Sequence, residues 1–437
     1  MEIKRDFYLN KLIRSMHNGM IKVITGIRRC GKSYLLKPLF SDYLLSCGVS
    51  ENNIIHIDLS SREYSDLTNP INLDEFIKEK INKVDEFYLF VDEIQSCESI
   101  QNPAFKNYKT SNGEIPQINF YQVLNGLLLE YPNVDIYVTG SNSRFLSSDI
   151  LTEFRGRGWQ IDLAPLSFSE YVNAFNKKDK IVLFEEYLTF GGMPGMVSFG
   201  NNQDKISYLT NLFELTYFKD IVEHSSIVDN VSMRELLQVL ASSEGSLVSI
   251  NKIAELFKQK EDKSISRQTI EKYLFAFKDS FLVSEASRFD IRGNKLISSN
   301  KKYYFADCGL RNALLSFSQN DRGHMMESVI YRDLKRRGYA VNVGVVPTFE
   351  TNNGIRERKQ YEVDFIATMG SKKVYIQSAY RIYDDEKLKQ EVNSFLKIDD
   401  SFKKIIVEGD LYIPYTDKKG IEHIGIIDFL CNEVNNL

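Results

Sequence analysis

The chain has 437 residues, of which 43% are hydrophobic and 26% are charged, and its formal net charge is −4. This charge excludes a uniformly basic nucleic-acid-binding protein, so any nucleic-acid contact must come from a local patch. The five cysteines are scattered without a C-x-x-C pair, which argues against a disulfide framework and a zinc ribbon. Because we find neither an apolar signal segment nor an apolar run of membrane-spanning length, we expect a cytoplasmic protein without a membrane partner.

Residues 1–165 alternate strand-like and helix-like segments, which predicts an α/β unit with a parallel sheet. A helix is predicted from Asn119 to Glu130. The predicted strands are Ile21–Thr25, Ile54–Asp58, Phe87–Val91, Asp135–Thr139 and Gly158–Leu163.

The first predicted strand leads into a segment that matches the phosphate-binding pattern G-x-x-x-x-G-K-[ST], and a helical pattern follows it. In this arrangement backbone N–H groups and the helix N-terminus face a triphosphate. Lys32 is expected to reach the β- and γ-phosphates, and the Ser33 hydroxyl is expected to hold Mg²⁺. The residues expected to contact the nucleotide are Gly26, Ile27, Arg28, Arg29, Cys30, Gly31, Lys32, Ser33 and Tyr34.

The third predicted strand ends in two carboxylates, Asp92 and Glu93. We expect this strand to lie beside the phosphate-loop strand, so that its C-terminal end faces the γ-phosphate. Asp92 would then coordinate Mg²⁺ through water, and Glu93 would polarise the attacking water. The alternative is a strand that simply ends in a solvated acidic turn.

Two further groups are candidates for the γ-phosphate. Ser141 and Asn142 follow the fourth strand, where a hydroxyl or amide would bind the phosphate or orient water, unless the segment is only a polar turn. Arg155 and Arg157 would neutralise charge on the transferring phosphoryl group, in cis or from a neighbouring subunit. The sequence does not distinguish these arginines, and the alternative is a pair of solvated surface side chains.

These motifs resemble a bacterial and archaeal family of AAA+ ATPases, as do Leu163-Ala164-Pro165-Leu166-Ser167-Phe168-Ser169-Glu170-Tyr171 and Gly191-Gly192-Met193-Pro194. The resemblance covers almost the whole chain and implies ATP as the nucleotide. It also implies a C-terminal domain of unknown function, in which a winged helix precedes a fold related to PD-(D/E)xK nucleases. We therefore predict a P-loop ATPase core (1–165), a helical lid (166–230), a winged helix-turn-helix (231–307) and a degenerate, restriction-endonuclease-like α/β domain (308–437).

Residues 231–307 themselves show the order of a winged helix, namely three helices followed by two β-rich segments. The third predicted helix, Ser266–Lys278, presents Arg267, Gln268 and Lys272, which are residue types suited to the base edges and phosphates of double-stranded DNA. The alternative is a dimerisation module or an ATPase lid without DNA contact. The predicted elements are the helices Arg234–Ser242, Ser249–Gln259 and Ser266–Lys278 and the strands Phe281–Ser287 and Lys301–Phe305.

The last predicted domain holds a possible second metal site. The nuclease pattern requires a helix glutamate, a strand aspartate, and then an acid and a lysine two residues apart. Glu327 and Asp364 fit the first two positions, but Gln377 stands at the acid position and Ala379 at the lysine position. A lost or altered nuclease site is the simpler interpretation, and such a domain would serve as a binding platform.

We thus predict an Mg²⁺-dependent ATPase that uses nucleotide state to change its grip on DNA or on a protein partner. One alternative is an ATP-gated, metal-dependent nuclease, against which Ala379 argues. The other is a non-hydrolysing nucleotide switch that acts as an interaction protein, against which Glu93 argues. The sequence leaves the oligomeric state open.

Overall fold

The computed structural model describes residues 3–105, 115–140, 154, 156–175, 178–224, 229–259, 265–319, 321–352, 355–382 and 385–432. It divides the chain into two units, Met1–Ala164 and Pro165–Leu437. No helix within the described ranges is both long and apolar enough to cross a membrane.

The first unit is built on a five-stranded parallel sheet in the order β2-β3-β6-β1-β7. In chain order the strands of this unit are β1 (Ile21–Thr25), β2 (Ile54–Asp58), β3 (Phe87–Asp92), β4 (Ile100–Gln101), β5 (Gln117–Ile118), β6 (Val134–Thr139) and β7 (Gly158–Asp162). The short strands β4 and β5 form a separate antiparallel pair. The strands β1, β3 and β6 are buried at every residue, as expected for the centre of a parallel sheet.

The five predicted strands are all present, with ends shifted by at most one residue. The predicted neighbour relation was wrong, however, because β6 lies between β1 and β3. The ends of parallel strands align at one edge of a sheet, so Asp92 still lies at the same edge as the phosphate loop. It is two strand spacings away, about 10 Å, rather than one.

Two helices of the first unit begin at recognisable capping signals. Pro70 occupies the first turn of its helix, directly after the N-cap Asn69. Asn119 and Gln122 form a capping box, in which each side chain accepts the other residue's backbone N–H. The helices are Asp6–Ser15, Lys32–Tyr34, Ser41–Ser46, Pro70–Lys80 and Phe120–Glu130, and a π-helical turn, Leu35–Phe40, joins the second to the third.

The second unit begins with helices, as predicted for residues 166–230. The helices of this unit are Phe168–Ala174, Lys180–Phe190, Asn202–Leu212, Lys219–His224, Asn230–Ser242, Ile250–Lys258, Arg267–Asp279, Cys308–Leu314, Arg322–Arg336, Asp385–Phe395 and Ile426–Cys431. They include the three helices predicted between residues 231 and 279. That these three form a winged helix-turn-helix stays a prediction.

The second unit also contains an eight-stranded mixed sheet. Its strands are β8 (Val283–Asp290), β9 (Lys295–Phe305), β10 (Ala340–Asn352), β11 (Ile355–Met369), β12 (Lys372–Ala379), β13 (Lys403–Glu408), β14 (Tyr415–Thr416) and β15 (Glu422–Gly425). Their order is β14-β15-β13-β12-β11-β10-β8-β9. The predicted hairpin is formed by β8 and β9, and β8 also pairs in parallel with β10. The hairpin is therefore continuous with the sheet that carries Asp364.

The glycine-rich break after the helix Lys180–Phe190 is packed against Asp307. The Asp307 carboxylate accepts the Gly192 N–H at 2.6 Å and caps the next helix by accepting the Leu310 N–H at 3.2 Å. A Cβ atom on Gly191, whose φ is 71°, would lie 2.0 Å from Asp307 Oδ1. The two glycines are thus explained by packing within the second unit.

Candidate nucleotide site and carboxylate cluster

The phosphate loop follows β1 and contains three residues in the left-handed backbone region. These are Gly26 (φ 143°), Arg29 (φ 59°) and Gly31 (φ 99°). A Cβ atom on Gly26 would lie 2.2 Å from the Leu163 carbonyl oxygen, so the position requires glycine. The helix that begins at Lys32 supplies the N-terminal N–H groups that favour a bound anion.

Lys32 is held inside this loop. Its side chain is buried, and Nζ donates hydrogen bonds to the carbonyl oxygens of Gly26 at 3.0 Å and Ile27 at 3.2 Å. Ser33 is exposed next to it, whereas the Tyr34 hydroxyl accepts the Ile3 N–H at 3.2 Å. The Lys32 ammonium group and the Ser33 hydroxyl therefore both lie at the loop, and their contacts with a nucleotide stay a prediction.

The buried side chain of Arg5 supports the loop, a role that the sequence gives no signal to detect. One guanidinium nitrogen, Nη1, donates to the Cys30 carbonyl at 3.2 Å, and Nη2 donates to the Ala164 carbonyl at 2.7 Å. Arg5 thereby ties the loop to the segment that follows β7. Cys30 itself is buried, and burial raises the pKa of its thiol, so it is a packing residue rather than a nucleophile.

Asp92 and Glu93 meet Thr139 where β3 and β6 end. The Thr139 hydroxyl donates to Asp92 Oδ1, and its oxygen accepts the Glu93 N–H at 3.1 Å. Glu93 lies in the left-handed region at φ 51°, and the Gln95 amide donates to its carboxylate. The two carboxylates are therefore positioned by fixed hydrogen bonds at the edge of the sheet from which the phosphate loop leaves.

Sequence reasoning also missed Thr139, although it lies only two residues before Ser141. The predicted γ-phosphate groups Ser141 and Asn142 lie outside the described residues, as does Arg155. The sequence does show that the strand ends in a hydroxyl residue, Thr139. Its hydrogen bond to Asp92, however, depends on β6 lying beside β3, which the sequence does not show.

Arg157 lies at the opposite end of the strands from the phosphate loop. Its carbonyl oxygen accepts the N–H of Ile21, the first residue of β1, at 2.8 Å. The phosphate loop leaves from the far end of this five-residue strand, roughly 16 Å away, which is longer than an arginine side chain. Within one chain the structure does not bring Arg157 to the loop, and a contact from a neighbouring subunit stays a prediction.

The oxygen donors at the first site fit a magnesium ion. Mg²⁺ prefers oxygen ligands and is usually bound by one or two protein groups together with nucleotide phosphates and water. The Ser33 hydroxyl and the Asp92 carboxylate are such donors, and Asp92 is held in place by Thr139.

The residues predicted for a second metal site lie close together in the second unit. Asp364 accepts the Ser378 N–H at 2.8 Å, and the Asp364 N–H points to the side-chain oxygen of Gln377 at 3.4 Å. The Gln377 amide donates to Glu391 at 3.0 Å, so its nitrogen is directed away from Asp364. Glu327 is buried and is linked to Asp364 through a lysine from another strand.

That lysine is Lys302 of β9, whose side chain is only 3% exposed. Its Nζ lies 2.9 Å from Glu327 Oε1, 2.8 Å from Glu362 Oε1 and 3.8 Å from Asp364 Oδ1. The Tyr304 hydroxyl also donates to Glu327 Oε1, at 2.7 Å. We call Lys302, Glu327, Glu362 and Asp364 the carboxylate cluster.

The electrostatics of the cluster favour a charged lysine. Burial alone would lower the pKa of Lys302, but Glu327, Asp364 and Glu362 outweigh burial and hold it well above its usual value. Burial, followed by the charge of Glu327, raises the pKa of Asp364 well above its usual value. The Glu327 and Glu362 oxygens that could bind a divalent cation are the ones that Lys302 contacts. Among the described residues, no group of three or more His, Cys, Asp or Glu side chains is arranged to hold one.

Comparison with known proteins identifies a family. Residues 18–172 match the family model AAA_14, described as an AAA domain, and residues 181–321 match a domain of unknown function, DUF8612. An uncharacterised protein of Haemophilus influenzae is 31% identical over 433 residues, which are 98% of each chain. The chain belongs to the same family as this protein.

An uncharacterised protein of Methanocaldococcus jannaschii is 29% identical over 411 residues, which are 89% of this chain and 82% of the relative. Among solved structures, the Walker-type ATPase PABY2304 of Pyrococcus abyssi aligns with a TM-score of 0.48 and 16% identity, over 72% of this chain and 96% of its own. In the present chain the residues matched by the AAA domain include both the phosphate loop and Asp92. The AAA part of the sequence resemblance is thus confirmed, whereas the winged helix and the nuclease-like fold stay predictions.

Proposed function

We propose that the protein binds ATP together with Mg²⁺ and hydrolyses it, and that the nucleotide state changes its grip on a macromolecular partner. The observation that carries this proposal is the Thr139 hydroxyl, which joins Asp92 to the backbone of Glu93 at the sheet edge of the phosphate loop. The AAA domain match over residues 18–172 supports nucleotide binding. A cytoplasmic location is part of the proposal.

Each residue of the site has a distinct proposed role. Lys32 binds the β- and γ-phosphates. Its bonds to the carbonyls of Gly26 and Ile27, which hold its ammonium group within the loop, support this role. Ser33 and Asp92 hold Mg²⁺, which when bound neutralises charge on the phosphates. Glu93 orients the attacking water and accepts its proton. Glu93 is therefore required for ATP hydrolysis but not for ATP binding.

We propose double-stranded DNA as the partner of the helix Arg267–Asp279. Arg267, Gln268 and Lys272 are all exposed on this helix, while its apolar face is buried. Arg267 pairs with Glu271 at 3.0 Å, but its side chain is 66% exposed and the pair is open to exchange for a phosphate. A protein partner is the alternative, and the test distinguishes the two.

The test is phosphate release from ATP and Mg²⁺, with and without double-stranded DNA. Release is expected from the wild type and from Lys83→Ala, a matched change at an exposed lysine of the same unit, but not from Lys32→Ala. A rise in turnover with DNA that is lost in the triple variant Arg267→Ala, Gln268→Ala, Lys272→Ala supports the DNA contact. A turnover rate that is the same with and without DNA favours a protein partner. Wild type that binds ATP without releasing phosphate would contradict hydrolysis and favour the nucleotide switch.

A further inference from the structure

The carboxylate cluster draws its charged groups from three separate elements of the second unit. Lys302 comes from β9, Glu327 from the helix Arg322–Arg336, and Glu362 and Asp364 from β11. These elements come together so that one ammonium group faces three carboxylates, two of them within hydrogen-bond distance. The arrangement is independent of the nucleotide site in the first unit.

Such a concentration of carboxylates requires a compensating cation, because like charges at close range repel one another where water is largely excluded. Glu327 and Asp364 are buried, so solvent compensates them little, whereas the Glu362 side chain is 37% exposed. An ammonium group has three N–H donors, and its bonds to Glu327 and Glu362 account for two of them. The Tyr304 hydroxyl and the Ser378 N–H supply further donors to Glu327 and Asp364. The cluster is therefore satisfied by protein groups alone.

We propose that the Lys302 ammonium takes the place of a divalent cation in the carboxylate cluster, so that the second unit folds around an internal lysine and binds no metal ion there. The proposal explains why Ala379 is tolerated at the lysine position of the nuclease pattern. It also assigns the cluster a structural role in joining β9, the helix and β11. Removal of the lysine should turn the same carboxylates into a divalent-cation site for oxygen-preferring metals.

The opposite assignment makes Lys302 a catalytic lysine that works beside a bound metal. It requires that Glu327 and Asp364 bind a cation while Lys302 remains in place. The two assignments make different claims about the wild-type protein. They are separated by metal binding in the absence of nucleotide, which does not depend on ATP hydrolysis.

The experiment is a Mn²⁺ titration of the full chain without nucleotide, followed by electron paramagnetic resonance, together with the Tm at each Mn²⁺ concentration. Lys302→Met keeps the length of the side chain and removes its charge. We expect it to bind one more Mn²⁺ per chain than the wild type and to gain Tm with Mn²⁺. The double variant Lys302→Met, Asp364→Asn should lose that extra ion. Lys301→Met, a change at the adjacent lysine, which pairs with Glu285 instead, should bind no more Mn²⁺ than the wild type and should not gain Tm with Mn²⁺.

Two results would overturn the proposal. One is wild-type Mn²⁺ binding, or metal-dependent cleavage of plasmid DNA, that disappears in Asp364→Asn. The other is a folded Lys302→Met variant that binds no additional Mn²⁺. If Lys302→Met does not fold, the comparison of wild type with Asp364→Asn still decides, since equal Mn²⁺ binding by the two supports the proposal and a loss contradicts it.

Discussion

The Thr139 hydroxyl at the end of β6 donates a hydrogen bond to the buried carboxylate of Asp92 at the end of the neighbouring strand β3. The same oxygen accepts the Glu93 N–H at 3.1 Å. One side chain therefore fixes both the proposed magnesium ligand and the backbone of the proposed water-activating residue. Such preorganisation lets carboxylates act without rearranging during the reaction.

Thr139→Val keeps the shape of the side chain but removes both hydrogen bonds. An unsatisfied buried polar group costs about 1–3 kcal/mol, so we expect phosphate release to fall by about tenfold or more while ATP affinity changes little. The control is Thr68→Val, because that hydroxyl donates to the Ser65 carbonyl, at 2.8 Å, rather than to a carboxylate of the site. Equal turnover of Thr139→Val and wild type would show that Thr139 does not position the carboxylates.

Arg5→Ala removes the tie between the phosphate loop and the segment after β7. Because the carbonyls of Cys30 and Ala164 both lose a donor, we expect weaker ATP binding and a first unit destabilised by about 1–3 kcal/mol. Arg14→Ala, at an exposed position of the helix Asp6–Ser15 that begins directly after Arg5, should change neither quantity. The measurements are the ATP Kd by calorimetry and the midpoint of urea unfolding. An unchanged Kd in Arg5→Ala would argue against a role in holding the loop.

Gly191→Ala should destabilise the second unit without affecting ATP binding. The new Cβ atom would meet Asp307 Oδ1 at 2.0 Å, and φ of 71° is unfavourable for alanine, so we expect a loss of about 2 kcal/mol or more. The matched control is Gly200→Ala, where the added Cβ atom would meet no other atom within 4 Å. The test is the Tm of both variants, and equal values would contradict this packing explanation.

The ion pairs of Glu285 predict a pH dependence of stability. Burial alone would raise the pKa of Glu285, but Lys301 at 2.7 Å and Lys278 at 3.0 Å outweigh it and hold the pKa below its usual value. A carboxyl whose pKa is lower in the folded state stabilises that state above its unfolded pKa of about 4.3. This stabilisation is lost as the pH falls through the folded value.

Glu285→Gln should therefore lower the midpoint of urea unfolding at pH 7, and the difference from wild type should shrink as the pH falls below about 4. Glu255→Gln, at an exposed position of the helix Ile250–Lys258, serves as the control. A difference that stays constant from pH 7 to pH 3 would show that the charge of Glu285 is not what stabilises the unit.

The sequence predicted the parts of the fold that depend on local patterns. The strand ends at Thr25 and Thr139, and the end at Asp92 to within one residue, follow from short apolar runs closed by polar residues. The loop around Lys32 follows from its glycine spacing. The order of the strands is a non-local property, and for that reason β6 was not expected between β1 and β3.

The residues that were missed share this dependence on distant contacts. Arg5 bonds to the carbonyl of a residue 159 positions away, and Lys302 bonds to Glu327, which is 25 positions away and on another element. A motif search for the nuclease lysine looks beside Gln377 on β12, whereas the lysine in the cluster comes from β9. Only the assembled sheet brings these side chains together.

The most direct test of the central claim is a comparison of wild type with Glu93→Gln, in which ATP binding and single-turnover phosphate release are measured on the same samples. Glutamine keeps the size of the side chain and can accept the Gln95 amide through its oxygen, but it cannot accept a proton from water. We expect Glu93→Gln to bind ATP with wild-type affinity and to release phosphate at least about a hundredfold more slowly. Wild-type release by Glu93→Gln would contradict the assignment of Glu93 as the residue that activates water.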